Sequence, residues 1–265
     1  MKNYFLLFIA GLSFPPALQQ ADTLNCDITN TTFQSGEKVT YQVMYALGGA
    51  HIGAGEVVFS STLETLFNKP VYHLAGEGYT YPFYDNVFKV RDLYESYVDT
   101  ATLLPVKFIR NVLEGSYTKY QNITFNRKTS TAITNDGVYK TPDCIRDVLS
   151  AVYYVRNIDF NNRKPGDRFP FSVFLDNEVF EMYVRYLGKE TIKTRYGKFR
   201  TIKFKPLLLK GTLFEGGEKM TVWVSDDGNR VPVRVESAIT VGSVMADMIT
   251  YRNLRYPLTS LISIR

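Results

Sequence analysis

The sequence predicts a mainly β protein: a curved antiparallel sheet or open half-barrel wrapped around one amphipathic helix at about residues 143–156. Three observations predict it. Apolar and polar residues alternate at period two in run after run, the pattern of strands with one buried face. Short turn-forming clusters separate these runs with no helical periods between most of them, so successive strands pair antiparallel. Only one segment, near the middle, repeats its apolar residues at helical spacing.

The chain begins with Met1, Lys2 and Asn3, then an apolar run over residues 4–14, then Pro15, Pro16 and Ala17. A short positive start, a hydrophobic stretch and breakers make a secretory signal, assigned to residues 1–21 with cleavage between Ala17 and Ala21. The run falls short of the roughly 20 apolar residues that span a bilayer, and no second such run follows. No transmembrane segment is therefore expected in the mature chain. A lipid anchor on Cys26 is the weaker alternative, because Asn25 is not the small residue that such a site wants before its cysteine.

The remaining residues, 22–265, read as a single β-rich domain. From Glu37 onward, Val39, Tyr41, Val43, Tyr45 and Leu47 fall on one side and Lys38, Thr40 and Gln42 on the other, until Gly48 and Gly49 end the run. The same alternation marks 72–79, 87–98, 106–112 and 117–125, a first strand group within about 33–126. A second group within 169–253 comprises 169–175, 179–187, 201–205, 220–224, 231–237 and 244–252. Gly53, Gly55, Gly76 and Gly78 lie inside strand patterns, where glycine marks a bulge or close packing more often than a ligand loop. Between the groups, Ile145, Val148, Leu149, Val152 and Val155 recur at helical spacing, with Asp143 placed to cap the first turn and Arg156 suited to the last. The stripe needs a cover, most simply the concave face of the sheet. The tail over 258–265 carries no pattern.

Composition excludes several functions. The 31 basic and 26 acidic residues are scattered with no like-charge block, so the net charge of +5 is not a nucleic-acid stripe. His51 and His73 stand in no ligand-like spacing, so neither a metal nor a cofactor is expected. The chain lacks Gly-x-Ser-x-Gly and any phosphate-cradling glycine loop. Asp92 shares an apolar strand face with Phe88, Val90 and Tyr94, and a carboxylate there needs a cation or hydrogen bonds. The expectation is a structural polar link between sheet and helix formed by Asp92, Asp147 and Arg156. Asp92 and Glu95 fall on opposite faces, which argues against an acid–base pair, and no catalytic residue is assigned. Tyr79, Tyr81, Phe83 and Tyr84 cluster around Pro82; with Tyr94 and Trp223 they are candidate ligand-binding residues, core packing being the alternative. Cys26 and Cys144 form an even pair that an oxidising compartment favours joining as a disulfide, two unrelated thiols being the alternative.

Several of these residues together resemble a known family, the exported bacterial proteins grouped as domain of unknown function 3108. The resemblance runs over about residues 30–253. It rests on Phe33, Gly36, Glu37 and Tyr41, on Gly53 with Gly55, on Asp92, Tyr94, Ser96 and Asp99, and on Leu104 with Pro105. Its most specific part is the helix motif Asp147, Val148, Leu149, Ser150, Ala151, Tyr153, Tyr154 and Arg156. Gly197, Phe199 and Pro206 follow, then Trp223, Ser225, Asp227, Arg230, Pro232 and Val233. With Cys26 and Cys144 the chain looks like the Bacteroides-type branch. The resemblance implies a curved sheet around a helix, loosely similar to envelope carriers of acyl chains, and no established catalytic residues; such analogy of fold does not transfer function. The expected function is a non-catalytic periplasmic or envelope carrier for an apolar or amphipathic molecule such as a lipid. The alternatives are an envelope assembly protein that engages a protein partner through an edge strand or the aromatic loop, and a glycan or peptide hydrolase.

Overall fold

The computed structural model describes Cys26 and residues 28–47, 50–209, 216–239 and 242–264. The expected signal segment, and Gly48 with Gly49, lie outside these residues. In chain order the elements are β1 (Lys38–Leu47), β2 (Ala50–Leu66), β3 (Lys69–Thr80), α1 (Asp85–Phe88), β4 (Arg91–Asp99), β5 (Pro105–Glu114), β6 (Tyr117–Asn126), β7 (Thr131–Thr134) and β8 (Gly137–Lys140). Then follow α2 (Val148–Arg156), β9 (Arg168–Leu175), β10 (Glu178–Lys193), β11 (Gly197–Pro206), β12 (Met220–Ser225), β13 (Pro232–Ala238), β14 (Ser243–Arg252) and β15 (Leu261–Ile264).

β1 to β8 form one antiparallel meander and β9 to β14 a second. β14 then pairs with β1, so both strand groups belong to one sheet whose edges are β8 and β9. The sheet curls until the β9–β10 turn meets the first meander. Asp176 and Asn177 hold that turn at positive φ, as tight hairpin turns require. Asp176 pairs with Arg110 of β5, and Asn177 donates to Asp136 at 3.1 Å. Phe174 of β9 packs on Phe125 of β6 and Tyr139 of β8. Among the described residues no ladder joins the edges, so the sheet is an open half-barrel.

α2 fills the concave side. Leu149 and Tyr153 join Leu74, Val98, Phe108 and Ile123 of the first meander, while Ala151, Tyr154 and Val155 join Phe171, Val184, Ile202 and Phe204 of the second. Each such aliphatic burial contributes roughly 1.5–3 kcal/mol. Gly76 admits the helix: a Cβ there would meet Phe59 at 3.1 Å and Leu149 at 3.7 Å. A third cluster of Val39, Tyr41, Phe199, Val231, Val233 and Met248 is covered by Leu254, Leu258 and Leu261 of the C-terminal segment.

The structure departs from the periodicity in several places. The longest strand, β2, and the short β7 and β8 lie outside the runs that alternation marks. The run 87–98 is not one strand: Val87 and Phe88 belong to α1, because Asp85 staples a corner by accepting from Thr80 Oγ1 at 2.8 Å and pairing with Arg91 at 2.7 Å. The helix starts at Val148, and Asp147 caps it instead of Asp143. The preceding residues are used elsewhere, Cys144 in a disulfide and Arg146 in a parallel bridge to Val173 on the β9 edge. Val152, placed on the apolar stripe by its spacing, is the exposed residue of α2, since a helix gripped from both halves is buried around most of its circumference. The patternless tail forms β15, which pairs with the start of β11.

Candidate functional site

Several of the buried polar groups are committed to holding α2. Asp147 Oδ1 accepts the N–H groups of Leu149 and Ser150, both at 2.8 Å, while its Oδ2 accepts from Ser96 of β4 at 2.6 Å. Burial nevertheless pushes its carboxyl up to about 6. At the other end Arg156 grips Glu37 through two bonds, at 2.6 and 3.0 Å, and donates to the carbonyl of Asn229 at 3.0 Å. Both partners are buried, with the guanidinium over the rings of Phe33 and Tyr153. Arg230 donates to the carbonyl of Ile158 just past the helix. Before α2, Arg146 is buried against the ring of Tyr154 at 3.8 Å, and burial lowers its guanidinium to about 10. Cys26 and Cys144 are bonded, their Cα atoms 4.9 Å apart. Asp147 and Arg156 thus link helix to sheet through Ser96 and Glu37.

Asp92 lies apart from both, toward one end of the same inner face. The continuous β4–β5 ladder ends at Leu93, one residue beyond it, and its carboxylate accepts the Leu113 N–H at 3.1 Å. Burial and the neighbouring, hydrogen-bonded Glu114 raise it to about 6, with Arg110 pulling the other way. Tyr94 stands next to it, its phenol pushed to about 12 by burial and by Asp92. Periodicity placed Asp92 on the inner face but had no access to Glu114, which only the strand register brings alongside.

The six candidate aromatics do not converge. Tyr79 and Tyr81 donate to opposite oxygens of Glu56, at 2.6 and 3.2 Å. Phe83, 82% exposed, packs edge-on against Tyr84 in the turn before α1. Tyr94 faces the interior, and Trp223 on β12 donates to Glu190 beneath Lys203. His73 lies between Glu64 and Glu95, 2.9 Å from each, stacked on Tyr97. Among the described residues no group of three or more His, Cys, Asp or Glu is placed to hold a metal ion. No described helix is long and apolar enough to cross a membrane.

A cleft of about 600 Å³ opens where the β10–β11 turn meets β1, β13 and β14. Lys193, Arg195 and Lys198 rim it from the turn, and His51 from β2. Met44, Met245 and Ile264 supply its apolar lining. Asp247, the single acid of the lining, is fully buried, receives Arg234 at 2.6 and 2.7 Å, and accepts the Arg195 N–H at 3.0 Å. Its charge is therefore taken, and it pins the turn. The Arg195 Nε lies 2.9 Å from Met44 Sδ, on a residue only 1% exposed. Gly197 lets β15 close the cleft's side, since a Cβ there would fall 2.3 Å from the Ser263 carbonyl. Sequence reasoning passed over this site. The available signal was the acid-free crowding of Lys193, Arg195, Lys198 and Arg200 around one turn.

A family model described as "Protein of unknown function (DUF3108)" matches residues 40–249. Among solved structures, the chain is similar to a β-barrel-like protein of domain DUF1849 from Brucella abortus, at 6% identity and a TM-score of 0.55, covering 86% of this chain and 100% of that one. A Bacteroides fragilis protein with a YmcC-like fold matches at 15% identity and a TM-score of 0.32, over 86% of this chain and 100% of that one. At such identities the first likeness speaks for the fold alone. No curated protein matches.

Proposed function

Since the chain belongs to the DUF3108 family, from which no activity follows, we propose from its geometry an exported, non-catalytic binding or carrier protein of the cell envelope that holds an amphipathic molecule. The observation that carries this reading is the cleft, about 600 Å³ and lined by both cations and apolar side chains, a volume in the range of small-molecule sites. The concave face is the less suitable place, because α2 and the two clusters packed around it occupy it. The disulfide supports an oxidising compartment. It also uses the Cys26 sulfur that a lipid anchor would need. For the hydrolase alternative, the Asp92 and Glu114 carboxyls bond to each other, whereas a retaining glycosidase separates its pair by roughly 5 Å.

A second reading, binding of an envelope protein partner, is favoured by the exposed apolar tip at Phe83 and Val87, 82% and 84% exposed. Native mass spectrometry of the protein purified gently from its own host decides between them. The expected result is a discrete added mass in the range of an amphipathic lipid. A bare protein mass, together with a single partner recovered by cross-linking in intact cells, would replace the carrier with the partner-binding reading.

A further inference from the structure

We propose that the cleft beside the β10–β11 turn is a phosphate site, taking a phosphoryl oxyanion on Lys193, Arg195 and Lys198 with an attached apolar body against Met245 and Ile264. This rests on the binding reading above and names the chemistry of the ligand. Three cations stand around one cavity, and none of the three has an ion-pair partner among the described residues. The one lining acid that would neutralise them, Asp247, is buried and saturated by Arg234 and the Arg195 N–H.

The ordinary account of basic residues on a hairpin turn is a solvated tip whose cations point to water. Arg195 does not fit that account. Its backbone is tethered to buried Asp247, and its guanidinium lies on the sulfur of buried Met44. A sulfur is a weak acceptor, so the strongest donors of the fork remain available for an oxyanion. Phosphate suits the set better than carboxylate. A carboxylate brings two oxygens and one charge to three cations, whereas a phosphomonoester brings three free oxygens and up to two charges. The lining adds a place for carbon: Met245, half-buried, has an adaptable apolar side chain suited to a chain of variable shape, and Ile264 is exposed in the same lining.

The source of the phosphoryl group is either a lipid headgroup or a free phosphate, and titration calorimetry on the full mature chain separates them. Inorganic phosphate, dihexanoyl phosphatidic acid, dihexanoyl phosphatidylcholine and hexanoate are the probes. Phosphatidic acid binding at least tenfold more tightly than inorganic phosphate, with hexanoate and phosphatidylcholine weaker than both, supports a headgroup source. Equal affinity for phosphatidic acid and inorganic phosphate supports the free anion. Hexanoate binding as well as phosphatidic acid overturns the phosphate assignment, as does the absence of binding by either phosphate probe.

Arg195→Gln, and Lys193→Gln combined with Lys198→Gln, change exposed turn residues and should leave the melting temperature in place while weakening phosphate at least tenfold. Unchanged affinity in both variants overturns the proposal. The two readings fail separately. A neutral amphipath that co-purifies equally with wild type and Arg195→Gln sinks the phosphate site and leaves the carrier standing. Phosphate binding by a protein that carries no amphipath does the reverse.

Discussion

Asp92 illustrates what a single residue contributes when its partner has the same charge. Against Glu114 and half-buried, its carboxyl is raised to about 6, above the roughly 4 of a free aspartate. The folded chain therefore holds this proton more tightly than the unfolded one. The resulting stabilisation is complete below about pH 4 and is lost as pH rises through 6. Asp92→Asn keeps an oxygen for the Leu113 N–H and offers Glu114 a donor at every pH. The expected outcome is a variant that melts above wild type at pH 7.5, the gap closing by pH 4.5. Parallel melting curves across that range would show that the pair is not linked to folding. The face that Asp92 occupies was legible from its alternation with Tyr94. Its partner was not, because a neighbour across a ladder is fixed by register and not by spacing.

At the scale of elements, α2 is fixed by polar links at its two ends as well as by apolar packing along its length. Asp147→Ala removes the cap from Leu149 and Ser150 and strands the buried Ser96 hydroxyl. A cap alone is worth about 1–2 kcal/mol, and an unpaired buried donor costs about 1–3 kcal/mol more. Asp143→Ala, at the cap that the spacing indicates, touches only a surface bond from Ser130 and should stay within about 0.5 kcal/mol. Urea unfolding of the two variants gives the comparison; equal losses would mean that the helix begins earlier than Val148. The end of α2 at Arg156 was readable in the sequence because local signals set it. Its start was not, because Cys144 and Arg146 answer to distant partners, Cys26 and the β9 edge. β15 was hidden for the same reason: four residues become a strand only beside Gly197 and Phe199.

For the whole molecule, local alternation marked two groups of strands and a helix between them, but missed β2, β7 and β8 of the first meander. The β1–β14 pairing and the meeting of the β9–β10 turn with β5 depend on contacts between distant segments, and no periodicity reports those. The cleft belongs to this class as well, since the β10–β11 turn and β1, β13 and β14 meet only in the finished sheet. The Cys26–Cys144 disulfide acts at this scale. Its sequence separation of 118 places all of β1 to β8 inside one covalent loop whose two ends meet at the entrance to α2. In the chain-entropy account a loop of this size stabilises by up to about 4–5 kcal/mol, by restricting the unfolded chain. The bond contributes no side chain to the Glu37–Arg156 or Ser96–Asp147 links, so the fold should survive its removal with those links intact. Replacing both cysteines by alanine should lower unfolding free energy by several kcal/mol in a denaturant titration while leaving the near-ultraviolet circular dichroism of the buried tyrosines around α2 unchanged. A loss of that signal would mean that the disulfide positions the helix; an unchanged unfolding midpoint would mean that the chain start is held to α2 by its non-covalent contacts alone.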